Sequence, residues 1–238
     1  YLAGNKAIPK QVVIPIDIDD KEVIETLLSK EAGYRVRFYS GAREEKRRYL
    51  QLANNNAKNS LEAQQNQQKS VVARYIELEN ILQWDHTIQR MECFDISHTS
   101  GQQTVASCVV FNREGPLKTD YRRYNIDGIT PGDDYAAMGQ ALNRRYGKIQ
   151  EIDKIPDIIL IDGGKGQLAQ AEQCFEDWQY DKTPLLIGVA KGTTRKPGLE
   201  TLILSGTHET IPITADSTAL HLIQHIRDES HRFAIAGH

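Results

Sequence analysis

The chain has 238 residues, 26% of them charged and 39% hydrophobic, with a formal net charge of −3. That is ordinary for a soluble globular protein with room for one or two domains, and it leaves no global basic footprint, so any nucleic-acid surface has to be a local patch. No run reaches the length of a transmembrane span, no signal peptide opens the sequence, and Tyr1 in place of Met leads us to expect a piece of a longer protein. Cys93, Cys108 and Cys174 lie far apart without CxxC spacing. They read as reduced core residues of a cytosolic protein, not as a disulfide frame or a zinc site.

Two strand-like runs open the chain, at 12–16 and at 34–39, the second alternating apolar and basic residues. Between them 20–30 reads as a helix capped by Asp19 or Asp20, with Val23, Ile24, Leu27 and Leu28 on one side. From 42 to 83 the pattern is helical. Its first part carries a basic cluster, Arg43, Lys46, Arg47 and Arg48, which reads as a solvated face. Its middle, 54–68, is rich in Asn, Gln and Lys and fits either an exposed helix or a mobile connector. Val71, Tyr75, Leu78 and Leu82 then share one helical face.

The character changes at Ile88, so 1–87 is expected to form an α/β and helical region and 88–238 a second domain. Strands are predicted at 91–97, 104–111 and 117–126, with turns at Gly101 and Gly115-Pro116, which makes an antiparallel meander. The turn at 130–134 leads into a helix bearing Tyr135, Met138, Leu142 and Tyr146. A strand at 157–162 follows, then a helix over 166–178, a strand at 185–190 and a basic loop at 191–196. A surface hairpin (199–204 with 209–213) and a helix over 218–232, with Leu220, Ile223 and Ile226 inward, complete the order. A meander feeding strand–helix–strand crossovers gives an α/β mixed sheet flanked by helices, the order of a ribonuclease H-like fold.

Two acidic residues stand out. Asp162 ends the run Ile158-Ile159-Leu160-Ile161 and is followed by Gly163, Gly164 and Gly166; Asp95 sits in the strand Met91–Ser97. A carboxylate at the carboxyl edge of a buried strand lies where open α/β sheets gather their sites, and it is costly there without a partner. If the two strands are neighbours, Asp95 and Asp162 can share a divalent ion. Oxygen ligands suit Mg²⁺ or Mn²⁺, and two such ions about 3.5–4 Å apart clamp the two oxygens of an in-line phosphoryl transfer. For one aspartate alone a capping role is the simpler reading; two at strand ends, flanked by Ile or Phe, favour the site. His231 is placed to ligate the metal or move a proton, or else to sit as a helix-end histidine against the dipole. His98 follows Asp95 by three residues and reads as a supporting residue. For Asp133 and Asp134, a helix cap and a further carboxylate both stay open. His221 and His225 lack an HExxH context and read as packing or surface residues. Gly163–Gly166 lacks the GxxxxGK[ST] spacing, which makes a nucleotide hydrolase a weak reading, yet the glycines let a backbone approach a phosphate and Lys165 is there to neutralise it. Lys191, Arg195 and Lys196 form a second positive patch, a candidate DNA contact or a plain solvated loop.

FDISH at 94–98, GITPGDDYAAM at 128–138, LIDGGKGQL at 160–168 and RDESHRFAI at 227–235 together resemble the C-terminal half of the UvrC family, the incision subunits of the bacterial UvrABC excision nuclease. The resemblance implies a ribonuclease H-like, divalent-metal endonuclease domain that cuts the damaged strand 5′ to a lesion, in a cytoplasmic DNA-damage and SOS-response setting. It implies the catalytic and metal-binding set Asp95, Asp162 and His231, with a further functional aspartate at Asp134. A histidine in place of further carboxylates leaves the number of ions open. It also implies damaged DNA and UvrB, with UvrA upstream, as partners. No GIY-YIG module, UvrB-binding coiled segment or tandem helix-hairpin-helix is seen here, so weak DNA binding by this chain alone is expected. The alternative is a non-catalytic DNA- or partner-binding module that keeps the fold.

Overall fold

The computed structural model describes residues 7–40, 44–98, 104–130, 132–147, 149, 151–178, 180–190, 200–211 and 213–236. The chain divides into two compact units, Tyr1–Asn66 and Gln67–His238.

In the first unit β1 (Gln11–Ile14) and β2 (Arg37–Ser40) pair in parallel, joined by α1 (Lys21–Ala32). Ile8, Leu28 and Val36 form its small core, with Ile24 packed against it. Of the four apolar residues read on one side of this helix, Val23 and Leu27 are exposed, because a two-stranded sheet covers only a narrow stripe of it. Gly33 ends α1 at φ +73°, a left-handed conformation that glycine adopts without strain. α2 (Glu44–Leu82) begins in this unit, and its Asn/Gln-rich middle is an exposed helix. Among the described residues no helix is long and apolar enough to cross a membrane.

The second unit is built on an eight-stranded sheet among the described residues. β3 (Met91–His98) and β4 (Thr104–Asn112) are antiparallel; β7 (Ile158–Asp162) and β8 (Leu185–Ala190) join β3 in parallel. The remaining strands are β5 (Gly115–Pro116), β6 (Arg122–Ile126), β9 (Thr201–Leu204) and β10 (Thr210–Ile211), and the order is β10-β9-β8-β7-β3-β4-β5, with β6 also on β4. Ile158 to Ile161 are all fully buried, as an unbroken apolar run demands when helices cover both faces.

Alternation along β3 assigns those faces. Glu92 and Phe94 meet Tyr146 of α3 (Asp134–Tyr146), so even positions face α3. The backbone at Cys93 and the register partner of Asp95, Ser107, meet Ser230 of α5 (Thr218–Ile235), so odd positions face α5. The inward stripe of α5 includes Leu220, Ile223, Ile226 and Ser230 at three- and four-residue steps. Ser217 caps the helix by accepting from the Leu220 N–H, and Glu77 of α2 accepts from the Ser217 hydroxyl at 2.7 Å.

Three elements depart from expectation. The strand expected over 117–126 is interrupted by a 3₁₀ turn at Lys118–Asp120, because Asp120 turns to pair with Arg90 at 2.7 Å while the Tyr121 ring packs on Phe233. The helix after β7, α4 (Lys165–Gln173), stops five residues early, in a series of i→i−3 turns whose Phe175 and Trp178 stack with Tyr146 and Tyr180. The hairpin is not on the surface: β9 pairs with β8 and buries Leu202, so it extends the main sheet.

Glu92 is fully buried and holds α3 to β3. It accepts from Arg90 Nε at 3.0 Å, from Arg145 Nε and Nη2 at 3.0 and 2.7 Å, and from the Tyr146 hydroxyl at 2.7 Å. Burial, and then this carboxylate, push the Tyr146 phenol well above its ordinary range. Glu92→Ala leaves the Arg145 guanidinium without its carboxylate in a dry interior and Arg90 with Asp120 alone. We predict a loss of about 3–5 kcal/mol of unfolding free energy, read from the urea midpoint at unchanged slope. A midpoint like that of the parent chain would show that the network does not anchor the helix.

Candidate functional site

The β3–β7 ladder runs in parallel to Phe94↔Ile161, and the next residue on each strand is an aspartate, Asp95 on one and Asp162 on the other. Residues 67 apart in sequence therefore stand side by side at the carboxyl edge, on strands about 4.8 Å apart. Asp95 is 6% exposed and Asp162 half-buried. Burial pushes the thiol of Cys93 well above its usual range, and the charges of Asp162 and then Asp95 push it further, so both carboxylates lie within electrostatic reach of one sulfur.

His231 comes to this edge from α5, its Nδ1 3.3 Å from Asp95 Oδ2 and its ring largely exposed. The helix is fastened on either side of it. One residue earlier, the Ser230 hydroxyl donates to the Cys93 carbonyl at 3.3 Å, and Ser107 Oγ donates to the Ser230 carbonyl at 3.0 Å, 2.9 Å from the Ser230 hydroxyl. Two residues later, Arg123 donates from Nε to the Phe233 carbonyl at 3.0 Å and lies 4.1 Å over the Phe233 ring. Ser107, Ser230 and Arg123 were not singled out from sequence. The available signal was a small hydroxyl inside an otherwise apolar strand and another beside His231, since a buried hydroxyl needs a partner.

The other candidates separate. Asp133 caps α3, accepting from the Ala136 N–H at 3.0 Å, while Asp134 Oδ1 lies 2.7 Å from His98 Nε2. Both members of that pair belong to the α3 side of β3, across the sheet from Asp95. His98 thus supports Asp134, not the aspartate it follows. Lys165 is exposed at the start of α4, after a turn in which the Gly163 N–H bonds to the Val189 carbonyl at 3.2 Å. Lys191, Arg195 and Lys196 lie outside the described residues. His221 and His225 are exposed, the latter edge-on to Phe111 with centroids 5.4 Å apart.

Among the described residues no group of three or more His, Cys, Asp or Glu side chains is placed to hold an ion. The pair Asp95 and Asp162 nevertheless fits a hard divalent cation, since Mg²⁺ is commonly bound through one or two carboxylates, with waters and substrate phosphates supplying the rest.

A mixed sheet opening on antiparallel strands, continuing in parallel ones and carrying aspartates on two central neighbours is a ribonuclease H-like architecture. The chain belongs to the UvrC RNase H endonuclease domain family, whose model matches residues 79–235; a second model, the UvrC Ribonuclease H-like domain, matches 1–64. UvrABC system protein C of Pseudoalteromonas atlantica is 72% identical over 238 residues, covering 100% of this chain and 39% of that protein. Its counterpart in Idiomarina loihiensis is 60% identical over 236 residues, covering 99% and 38%. The chain thus spans about two fifths of the length of these curated relatives. Among solved structures, a Ciona intestinalis Endonuclease V variant in complex with a 23mer DNA aligns at a TM-score of 0.40 and 10% identity, over 75% of this chain and 96% of that one.

Ser230→Ala removes the bonds to Cys93 and Ser107 inside a closed interior. The expected cost is about 1–3 kcal/mol, seen as a lower midpoint in thermal unfolding. If the midpoint does not move, the hydroxyl contacts carry no weight in seating α5.

Proposed function

We propose that residues 88–238 form the endonuclease domain, preceded by an α/β and helical region at 1–87, and that it hydrolyses a phosphodiester bond on the 5′ side of a lesion during nucleotide excision repair. The observation that carries this reading is the pair of aspartates side by side on adjacent strands, Asp162 ending β7 and Asp95 beside it within β3, next to His231, in a chain of the UvrC endonuclease family. In this reading damaged DNA is the substrate, UvrB with UvrA upstream delivers it to the full-length protein, and the setting is cytoplasmic.

Asp95 and Asp162 would hold Mg²⁺ or Mn²⁺. Such an ion, when bound, supplies Lewis-acid polarisation of a phosphoryl oxygen and a more acidic water. The rest is work for the chain's own groups. The neighbouring β3 and β7 ends fix the spacing of the two carboxylates. His231, exposed and touching Asp95, takes or gives a proton at the mouth of the site. Lys165, together with Lys191, Arg195 and Lys196, neutralises phosphates of the bound strand.

In full-length protein assayed with UvrA, UvrB and an end-labelled duplex carrying one lesion, Asp95→Asn and Asp162→Asn should abolish 5′ incision while the unfolding midpoint stays near that of the parent. His231→Ala should slow it by about 10²–10⁴-fold. EDTA should stop the parent enzyme, and Mg²⁺ or Mn²⁺ should restore it. Full incision by either aspartate variant would leave the domain as a non-catalytic module.

A further inference from the structure

Asp134 has a role of its own to explain. The family resemblance implies a function for it, while the residues alone leave it open, and it sits on the α3 side of the sheet with His98. His98 is the last residue of β3 and Thr104 the first of β4, and the two face each other as the end rung of that hairpin. On that rung His98 Nδ1 lies 3.1 Å from Thr104 Oγ1, and on the far side of the ring Nε2 lies 2.7 Å from Asp134 Oδ1. A carboxylate only accepts, so Nε2 carries the proton; in the neutral ring Nδ1 is then the acceptor, and the Thr104 hydroxyl donates to it. Thr104 is 6% exposed, which favours keeping its hydroxyl on this partner.

The first turn of α3 reaches a second place. Gly132, at φ +84°, turns the chain so that Asp133 caps the helix, Asp134 meets His98, and Tyr135 lies over Gly166. A Cβ on Gly166 would stand 2.6 Å from the Tyr135 hydroxyl. Gly166 belongs to the first turn of α4, which starts three residues after Asp162. The start of α3 therefore touches the end of the strand that bears Asp95 and the start of the helix beyond the strand that bears Asp162.

We propose that Thr104, His98 and Asp134 form a hydrogen-bonded brace that seats the start of α3 between the two aspartate-bearing strand ends, and that Asp134 is a positioning residue, not an ion ligand. This rests on the nuclease reading given above. The brace acts by holding the separation of Asp95 and Asp162, which metal chemistry tolerates only within fractions of an ångström. Its loss is expected in turnover more than in substrate binding.

The test compares Thr104→Val, which keeps shape and removes the hydroxyl, with Thr104→Ser, which restores it. In full-length protein with UvrA and UvrB, Thr104→Val should lower kcat for 5′ incision about tenfold with KM within about twofold, and Thr104→Ser should recover most of the loss. Calorimetric titration of the 238-residue chain with Mn²⁺ should give Asp134→Asn an affinity within about threefold of the parent, whereas Asp95→Asn loses binding. Nitrogen-15 shifts of the imidazole at pH 8 should show His98 as the Nε2–H tautomer in the parent and as a mixture in Thr104→Val. The brace is overturned if Thr104→Val cuts like the parent, if Asp134→Asn loses Mn²⁺ as completely as Asp95→Asn, or if the parent ring is the Nδ1–H tautomer. Intact incision by Asp95→Asn would instead sink the nuclease reading, and the tautomer measurement would still decide the brace.

Discussion

The parallel register between β3 and β7 sets the carboxyl edge of this molecule. With Phe94 opposite Ile161, the aspartate that follows on each strand arrives at the same height. A slip of one residue would turn Asp95 toward α3 and leave Asp162 facing Ile96 or Phe94. The register is held where it is cheapest to hold, in the dry middle of the sheet. Met91, Cys93, Ile158 and Leu160 are fully buried there, and no polar alternative competes with the ladder. The edge inherits its geometry from packing several residues away, so the charged groups need not hold themselves in place.

The two faces of the sheet solve the docking of their helices with different chemistry. On one side α3 is moored by an ionic cluster around Glu92, whose carboxylate receives both Arg90 and Arg145. On the other, α5 is moored by two serine hydroxyls and two main-chain carbonyls. The ionic mooring has a steep dependence on completeness, because one missing partner leaves a charge in a low dielectric. The hydroxyl mooring is compact, and it lets α5 approach close enough for His231 to touch Asp95. Small residues at the contact are therefore a geometric need. A larger side chain at 107 or 230 would lift the imidazole away from the strand.

Much of this was legible in the sequence, and the legible parts share a cause. Strands buried on both faces are written as uninterrupted apolar runs, so 158–161 and 185–190 could be placed as strands from residues alone. The two aspartates stood out because each interrupts such a run. What escaped was pairwise. That Asp120 turns to Arg90, that the hairpin at 201–211 continues the main sheet, and that His98 reaches Asp134 depend on which elements become neighbours, and periodicity along one element carries no record of its partner. Ser107 was invisible for the same reason, since a serine in a strand declares itself only once Ser230 is opposite. Val23 and Leu27 erred in the other direction: helical spacing marks an apolar side, but the narrow two-stranded sheet of the first unit covers only part of it.

The contact between His231 and Asp95 spans 136 residues of chain, and α5 supplies its later half. Proteins are made from the N-terminus at a finite pace, and a helix becomes free to dock only after clearing the ribosome. During that interval the aspartate strands can already lie in place while the imidazole has yet to exist. Synthesis thus delivers the hydrophobic platform first and its histidine last, so a half-made chain has no assembled set of these groups to act with.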